Sequence, residues 1–328
     1  MGNIEIMAVL FSIVLAGYAA GRLGYMGGDF DKRLSSLIID ITCPALIISS
    51  TMSGTLPDRQ LILPLLGISL LTYIILTGVA FLLPRLLTRR RDDEGIIGFA
   101  LMFGNVSFIG YPVVASIFGH EAVFYAAVLN MVNTFAVFTI GTMLLTKESP
   151  NDKSQTSARP KDACYQRDAR NLKSQTSNLH STILYSSPMI AVYLAMIIVA
   201  FGIDNIPYII SQPLTLIGNI TVPAALLIIG SSMSKLSLRT MLGNRTVYAT
   251  TLFRLGLLPL GLYALTTVMG FSPLVVSINT VVIAMPVATY GTILCLKLGR
   301  DTSLITELTF ITTLLSVITI PLLVMLLR

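Results

Sequence analysis

Long apolar runs alternate with short polar ones along the whole chain. Ten of them are long enough to cross a hydrocarbon core of ~30 Å. To within a few residues they cover 4–22, 34–53, 61–87, 95–117, 121–146, 183–201, 208–233, 246–269, 274–297 and 303–326. Arg89-Arg90-Arg91-Asp92-Asp93-Glu94 separates the third from the fourth, and Gly119-His120-Glu121 alone parts the fourth from the fifth. Between the fifth and sixth lies a polar stretch from Lys147 to Thr182, with Lys-Ser-Gln-Thr-Ser at 153–157 and again at 173–177. Such a composition buries no core and reads as a linker. The chain therefore divides into 1–146, a polar loop 147–182, and 183–328, with five apolar segments on either side.

The two halves repeat one another. Asp40-Ile41-Thr42-Cys43-Pro44-Ala45-Leu46, running on to Ser53, returns 179 residues later as Asn219-Ile220-Thr221-Val222-Pro223-Ala224-Ala225, running on to Ser234. Gly110-Tyr111-Pro112-Val113 matches Ala284-Met285-Pro286-Val287, and Phe118-Gly119-His120-Glu121 parallels Leu298-Gly299-Arg300-Asp301. An odd number of spans per half sends the second half into the membrane the other way up, so the repeat is inverted. The fold class this predicts is an all-α polytopic membrane protein of ten transmembrane helices, arranged as two inverted five-helix repeats. Segments 4 and 9 are its broken helices, because Pro112 and Pro286 remove a backbone donor and clash with the turn before them.

Composition agrees: 54% of residues are apolar, 12% are charged, and the mean hydropathy is +0.81, unlike a water-soluble globule. With the N-terminus outside, the inner loops hold 19 of the 22 Lys and Arg residues, the bias expected of a cytoplasmic face. Both termini then lie on the outer side of the plasma membrane. The first run carries Glu5, and its first basic residue, Arg22, follows it; a signal peptide has the reverse order, so a retained helix is expected. The net charge of +6 follows from this topology and calls for no nucleic-acid partner. Cys43, Cys164 and Cys295 have no metal spacing, His120 and His180 stand apart, and P-loop, HExxH and GxSxG motifs are missing.

Chemistry at membrane depth then falls to few residues. Two broken helices in equivalent positions bring half-helix N-termini and freed N–H groups to a protein-lined site that favours an anion, typically a carboxylate. Asn105, Gly110, Tyr111 and Pro112 from segment 4, with Pro286, Ala288, Thr289 and Tyr290 from segment 9, are the candidate lining. Asn105 can donate to a carboxylate or act as helix–helix glue. Asn130 and Asn133 share a helix face and are open to the same two roles. Asp40, with Asn219 in its place in the second copy, and Glu307 are candidate coupling or pathway residues, though an acid near a helix start is also favoured by the helix dipole. Arg254 either snorkels or pairs with one of these acids, or serves the substrate as a ligand or fixed counter-charge.

Leu15-Ala16-Gly17-Tyr18-Ala19-Ala20-Gly21-Arg22, and the run from Leu34 to Ser50 with its Pro44-Ala45-Leu46, resemble the opening of the auxin efflux carrier family. The Asn105-to-Pro112 spacing with Gly110, and Ala284-Met285-Pro286-Val287-Ala288-Thr289, look like that family's two crossover motifs. The resemblance implies a fold related to bile-acid/sodium symporters and sodium/proton antiporters. It implies a scaffold of segments 1, 2, 6 and 7, often a homodimer interface, and a moving bundle of segments 3–5 and 8–10. It also puts the substrate site at the segment 4/9 crossover, at Asn105, Pro112 and Pro286, and leaves Pro44 and Pro223 as a scaffold motif along the pathway wall. Plant members repeat an Asn near the second crossover where this chain has Thr289 and Tyr290, which favours an organic acid smaller than auxin.

The expected function is secondary active transport of a small mono- or dicarboxylate by alternating access, with Na+ or H+ as coupling ion and no other cofactor. A passive channel, an intramembrane enzyme and a membrane sensor are the rivals. The enzyme lacks a nucleophile–base or metal constellation, and the sensor lacks a folded output domain.

Overall fold

The structure, a computed structural model, describes residues 3–52, 57–146, 186–203, 206–234, 245–298 and 300–327. The 147–182 loop with Cys164 and His180 lies outside the described residues, as do Ser53, Lys235, Arg239, Gly299 and Arg328. Among the described residues the regular structure is all helical, apart from one isolated antiparallel bridge. We number the helices α1 (Asn3–Arg22), α2 (28–49), α3 (Arg59–Leu87), α4 (Arg91–Met102), α5 (Val106–Phe118) and α6 (Ala122–Thr146). They continue as α7 (Ser187–Phe201), α8 (208–234), α9 (Arg245–Val268), α10 (Pro273–Ile283), α11 (Tyr290–Lys297) and α12 (Ser303–Leu326). Five helices among the described residues are long and apolar enough to cross a bilayer: α3, α6, most of α8, α9 and α12. Shorter apolar helices, α5, α7 and α10, accompany them. This is the architecture of a polytopic membrane protein.

Small residues set the closest packing. Gly17 of α1 lies against the backbone of Leu227 in α8, and Gly230 of α8 lies against Val14 and Gly17, with no room for a Cβ at either glycine. Backbones that approach this closely gain dispersion contacts that lipid cannot supply. Polar bonds add to the seam: Ser231 Oγ donates to Asp31 Oδ2 at 2.8 Å, and Asp31 Oδ1 accepts from the Gly27 N–H at 2.9 Å. Thr42 of α2 and Thr221 of α8, equivalent positions of the repeated motif, are hydrogen-bonded to each other at 2.9 Å and buried.

Pro44 and Pro112 leave their helices continuous, against the expectation that Pro112 breaks segment 4. α2 runs on through Pro44 because the turn before it, Ile38–Thr42, widens to a π turn. That extra residue relieves the clash between a proline ring and the preceding carbonyl. In α8 the helix pauses for one residue at Ile220 and then continues from Thr221 through Pro223. The same widening occurs at Val106–Gly110, two residues before Pro112, and at Phe253–Leu257, two residues before Pro259. Pro112 therefore lies in a continuing helix, and the interruption of segment 4 falls earlier, between Met102 and Val106.

Two buried apolar clusters form the core, and they meet at the helix interruptions. Val106 and Met285 belong to one; Phe103, Val287 and Ala288 belong to the other. A cavity of about 60 Å3 opens elsewhere in the first cluster, between α1 and α8 on one side and α5 and α12 on the other.

Candidate functional site

α4 ends where Phe103 turns extended (φ −108°, ψ 121°), and α10 gives way to irregular backbone after Ala284. The two interruptions lie antiparallel. The Asn105 N–H donates to the Pro286 carbonyl at 2.8 Å, the Ala288 N–H donates to the Phe103 carbonyl at 3.1 Å, and Gly104 faces Val287 in the bridge. Backbone groups freed by a helix break have no water at membrane depth, and here each break satisfies the other. Thr312 of α12 adds a further partner, accepting from the Val287 N–H at 3.1 Å.

Arg254 closes the junction from the π turn of α9. It is 1% exposed. Its Nη1 donates to the carbonyls of Leu101 (2.8 Å) and Met102 (3.4 Å) at the end of α4, and its Nε to that of Met285 (3.2 Å), just past α10. The C-terminal carbonyls of two helices are thus held by one guanidinium, whose charge suits the negative ends of both dipoles. The expectations that Arg254 snorkels to the interface or pairs with an acid are both overturned: it is enclosed, and bonded to carbonyls rather than to a carboxylate among the described residues. Gly104 is required beside it, because a Cβ there would collide with Nη2.

Asn105 caps α5. Its Oδ1 accepts from the Phe108 N–H at 3.3 Å, which orients the amide and leaves its NH2 to donate to a ligand. One turn into α5 begins a chain of side chains. Asn130 Nδ2 donates to Ser107 Oγ (3.0 Å) and to the Tyr111 hydroxyl (2.9 Å), and its Oδ1 accepts from Asn133 Nδ2 at 2.8 Å. Asn133 Oδ1 is buried with no partner. Hydroxyls both donate and accept, so reversing the two amides preserves every contact and turns the spare group of Asn133 from acceptor to donor. This chain can therefore meet a ligand in either sense.

The other expected residues divide. Gly110 and Pro112 are buried beside the junction, and a Cβ on Gly110 would crowd Met285. Pro286 and Ala288 are buried within the junction itself. Thr289 and Tyr290 are exposed at the start of α11, with the Tyr290 ring edge-on to Phe138 at 6.0 Å between centroids. Asp40 is exposed in the π turn of α2 and close enough to act electrostatically on Tyr290. Glu307 is half-buried in the second turn of α12, while Asn219 and Pro223 are exposed on α8 and Pro44 is half-buried in α2. Sequence reasoning missed Ser107 and Thr312. A lone hydroxyl in an apolar helix carries no signal of its own, since most bond the preceding turn.

The family model described as membrane transport protein matches residues 3–324, which is nearly the whole chain. This chain belongs to the auxin efflux carrier family. An uncharacterized transporter of Methanocaldococcus jannaschii is 24% identical over 323 residues, covering 97% of this chain and 96% of its own length. A second uncharacterized transporter, from Methanothermobacter thermautotrophicus, is 25% identical over 327 residues, covering 98% and 97%. Transport is thus the activity class of the family and of these relatives. In this family member the interrupted helices, the cap at Asn105 and the enclosed Arg254 converge on one place.

Proposed function

We propose that this chain is a secondary active transporter of a small organic anion, a mono- or dicarboxylate, and that it works by alternating access. It has ten spans in two inverted five-helix repeats, both termini outside, and crossover helices formed by α4–α5 and α10–α11. α1, α2, α7 and α8 are the scaffold through which it dimerises, and the remaining helices carry the substrate across with H+ or Na+ as driving ion. The single observation behind this reading is the junction where two helix breaks satisfy each other's backbone. There α5 starts directly after the Asn105 amide, and the chain leaves the bonded Ala288 to start α11 at Tyr290. Helix N-termini and an amide donor attract a carboxylate, and a junction whose two breaks are bonded to each other can move as a unit.

Uptake of labelled malate, malonate and indole-acetate into proteoliposomes, under imposed pH or Na+ gradients, tests the reading. Gradient-driven accumulation is expected for a small carboxylate. Asn105→Ala should cut uptake by about tenfold or more, the worth of a hydrogen bond to a charged group. Equilibration without accumulation would instead make the chain a passive channel.

A further inference from the structure

The turn that joins α5 to α6 is bonded to the end of α2. His120 Nε2 lies 3.0 Å from Ser49 Oγ. Ser49 donates its own hydrogen to the Leu46 carbonyl at 3.2 Å. Its oxygen therefore accepts from the His120 Nε2–H, and Nδ1 is the position open to a second proton. The two partners are held differently. Ser49 is fully buried, and Gly218 of α8 lies so close to Leu46 and Ser49 that a Cβ would not fit. His120 is half-buried and follows Gly119, whose φ of +95° makes the turn tight. The same hairpin starts at the Asn105 cap, so a movement of this turn is coupled to the candidate site. Ser49, Ser50 and Thr51 are all buried, which leaves this end of the interface between α2 and the hairpin shut. By the charge bias it is the outer end.

Resting on the division into scaffold and moving bundle in the reading above, we infer that His120 and Ser49 form an outer latch, and that acid releases it. Opening the outer side parts α2 from the α5–α6 turn, and so must break this bond. In the shut state burial holds the His120 imidazole below its ordinary 6.5, against a smaller opposing effect of Glu121 in the same turn. Once the ring is in water it returns to the ordinary range. The charged form therefore prefers the open state. The shut state keeps its full advantage above about pH 6.5 and loses it as the pH falls, by at most about tenfold per unit for one proton. The next charged groups are Asp58, whose N–H donates to the Tyr125 hydroxyl of α6 at 2.8 Å, and Arg59 beside it. α7, α8 and α10, which pack against α2 and α6, carry no charged residue.

The chain has no tryptophan, so Phe118→Trp puts a single fluorophore at a half-buried position two residues before the latch. Acrylamide quenching of this variant in detergent reads how open the interface is, from about pH 8 to about pH 5, a range that spans an imidazole titration. The quenching slope should rise by about twofold or more on the acid side. His120→Gln keeps a donor and carries no charge, so adding it should leave the slope low at every pH. Ser49→Ala removes the acceptor and should give a high slope at every pH. A slope that ignores pH, a rise that survives His120→Gln, or a Ser49→Ala response equal to its parent's overturns the inference. Should Phe118→Trp fail to fold, maleimide labelling of Ser50→Cys in a Cys164→Ser background replaces it, each rate divided by that of a free thiol at the same pH. That ratio must rise in acid and lose its rise in His120→Gln; a flat ratio overturns the latch. Neither measurement needs a substrate. Absence of uptake of malate, malonate and indole-acetate therefore counts against the anion-transporter reading alone, and a flat pH response against the latch alone.

Discussion

The tightest constraint at the junction is the missing side chain of Gly104. Its Cα lies against Nη2 of Arg254, and a Cβ would also stand 3.2 Å from the Met285 carbonyl oxygen. The guanidinium cannot retreat without giving up the carbonyls of Leu101, Met102 and Met285. Gly104→Ala should therefore cost about 2–3 kcal/mol, the order of a buried charged hydrogen bond lost together with local overpacking. A lowered melting temperature in detergent, together with reduced uptake, is the expected outcome; a melting temperature equal to wild type would mean that the guanidinium has room to move. The sequence pointed at Arg254 as a charge at membrane depth but not at its partners. Those are backbone carbonyls, which every residue has and no residue type announces.

At the scale of helices, the apolar runs located the elements well, because lipid imposes length and composition on anything that crosses it. The segments read as 61–87, 208–233 and 303–326 are helical over 59–87, 208–234 and 303–326. The proline reading was less secure. Pro44, Pro112 and Pro259 each follow a π turn by two residues and leave their helices continuous, whereas Pro286 sits in a true interruption. A proline reports only that one N–H is missing, and a helix can meet that by widening a turn or by stopping. Which occurs depends on partners elsewhere in the fold: here, the antiparallel bonding of 103–105 with 286–288. The repeated motif was legible as a pattern, but its physical content is the bond between Thr42 and Thr221. Thr42→Val and Thr221→Val should each destabilise the protein, and the double variant should be little worse than either. The coupling in this double-mutant cycle should be about 0.5–1 kcal/mol, as for other interhelical hydrogen bonds in membranes. Strict additivity of the two losses would show that the hydroxyls do not depend on each other.

For the whole molecule, orientation rests on charge: 19 of 22 basic residues fall on one side of the proposed ten-span path because cytoplasmic loops retain Lys and Arg. The chain's own thiols can report on it. Cys43 is 2% exposed and Cys295 is fully enclosed, so neither should meet a membrane-impermeant maleimide while the fold is intact. Cys164 belongs to the polar 147–182 loop, which the charge bias puts inside. Intact spheroplasts expressing the protein should therefore take up almost no label, and inside-out vesicles about one label per chain by the charge rule. Cys164→Ser should abolish the labelling of the vesicles. Labelling of Cys164 in intact spheroplasts would turn the molecule over. The junction would survive that result unchanged, since its bonds do not depend on which side is cytoplasmic, but the gradients imposed in the uptake experiments would have to be read with the opposite sign.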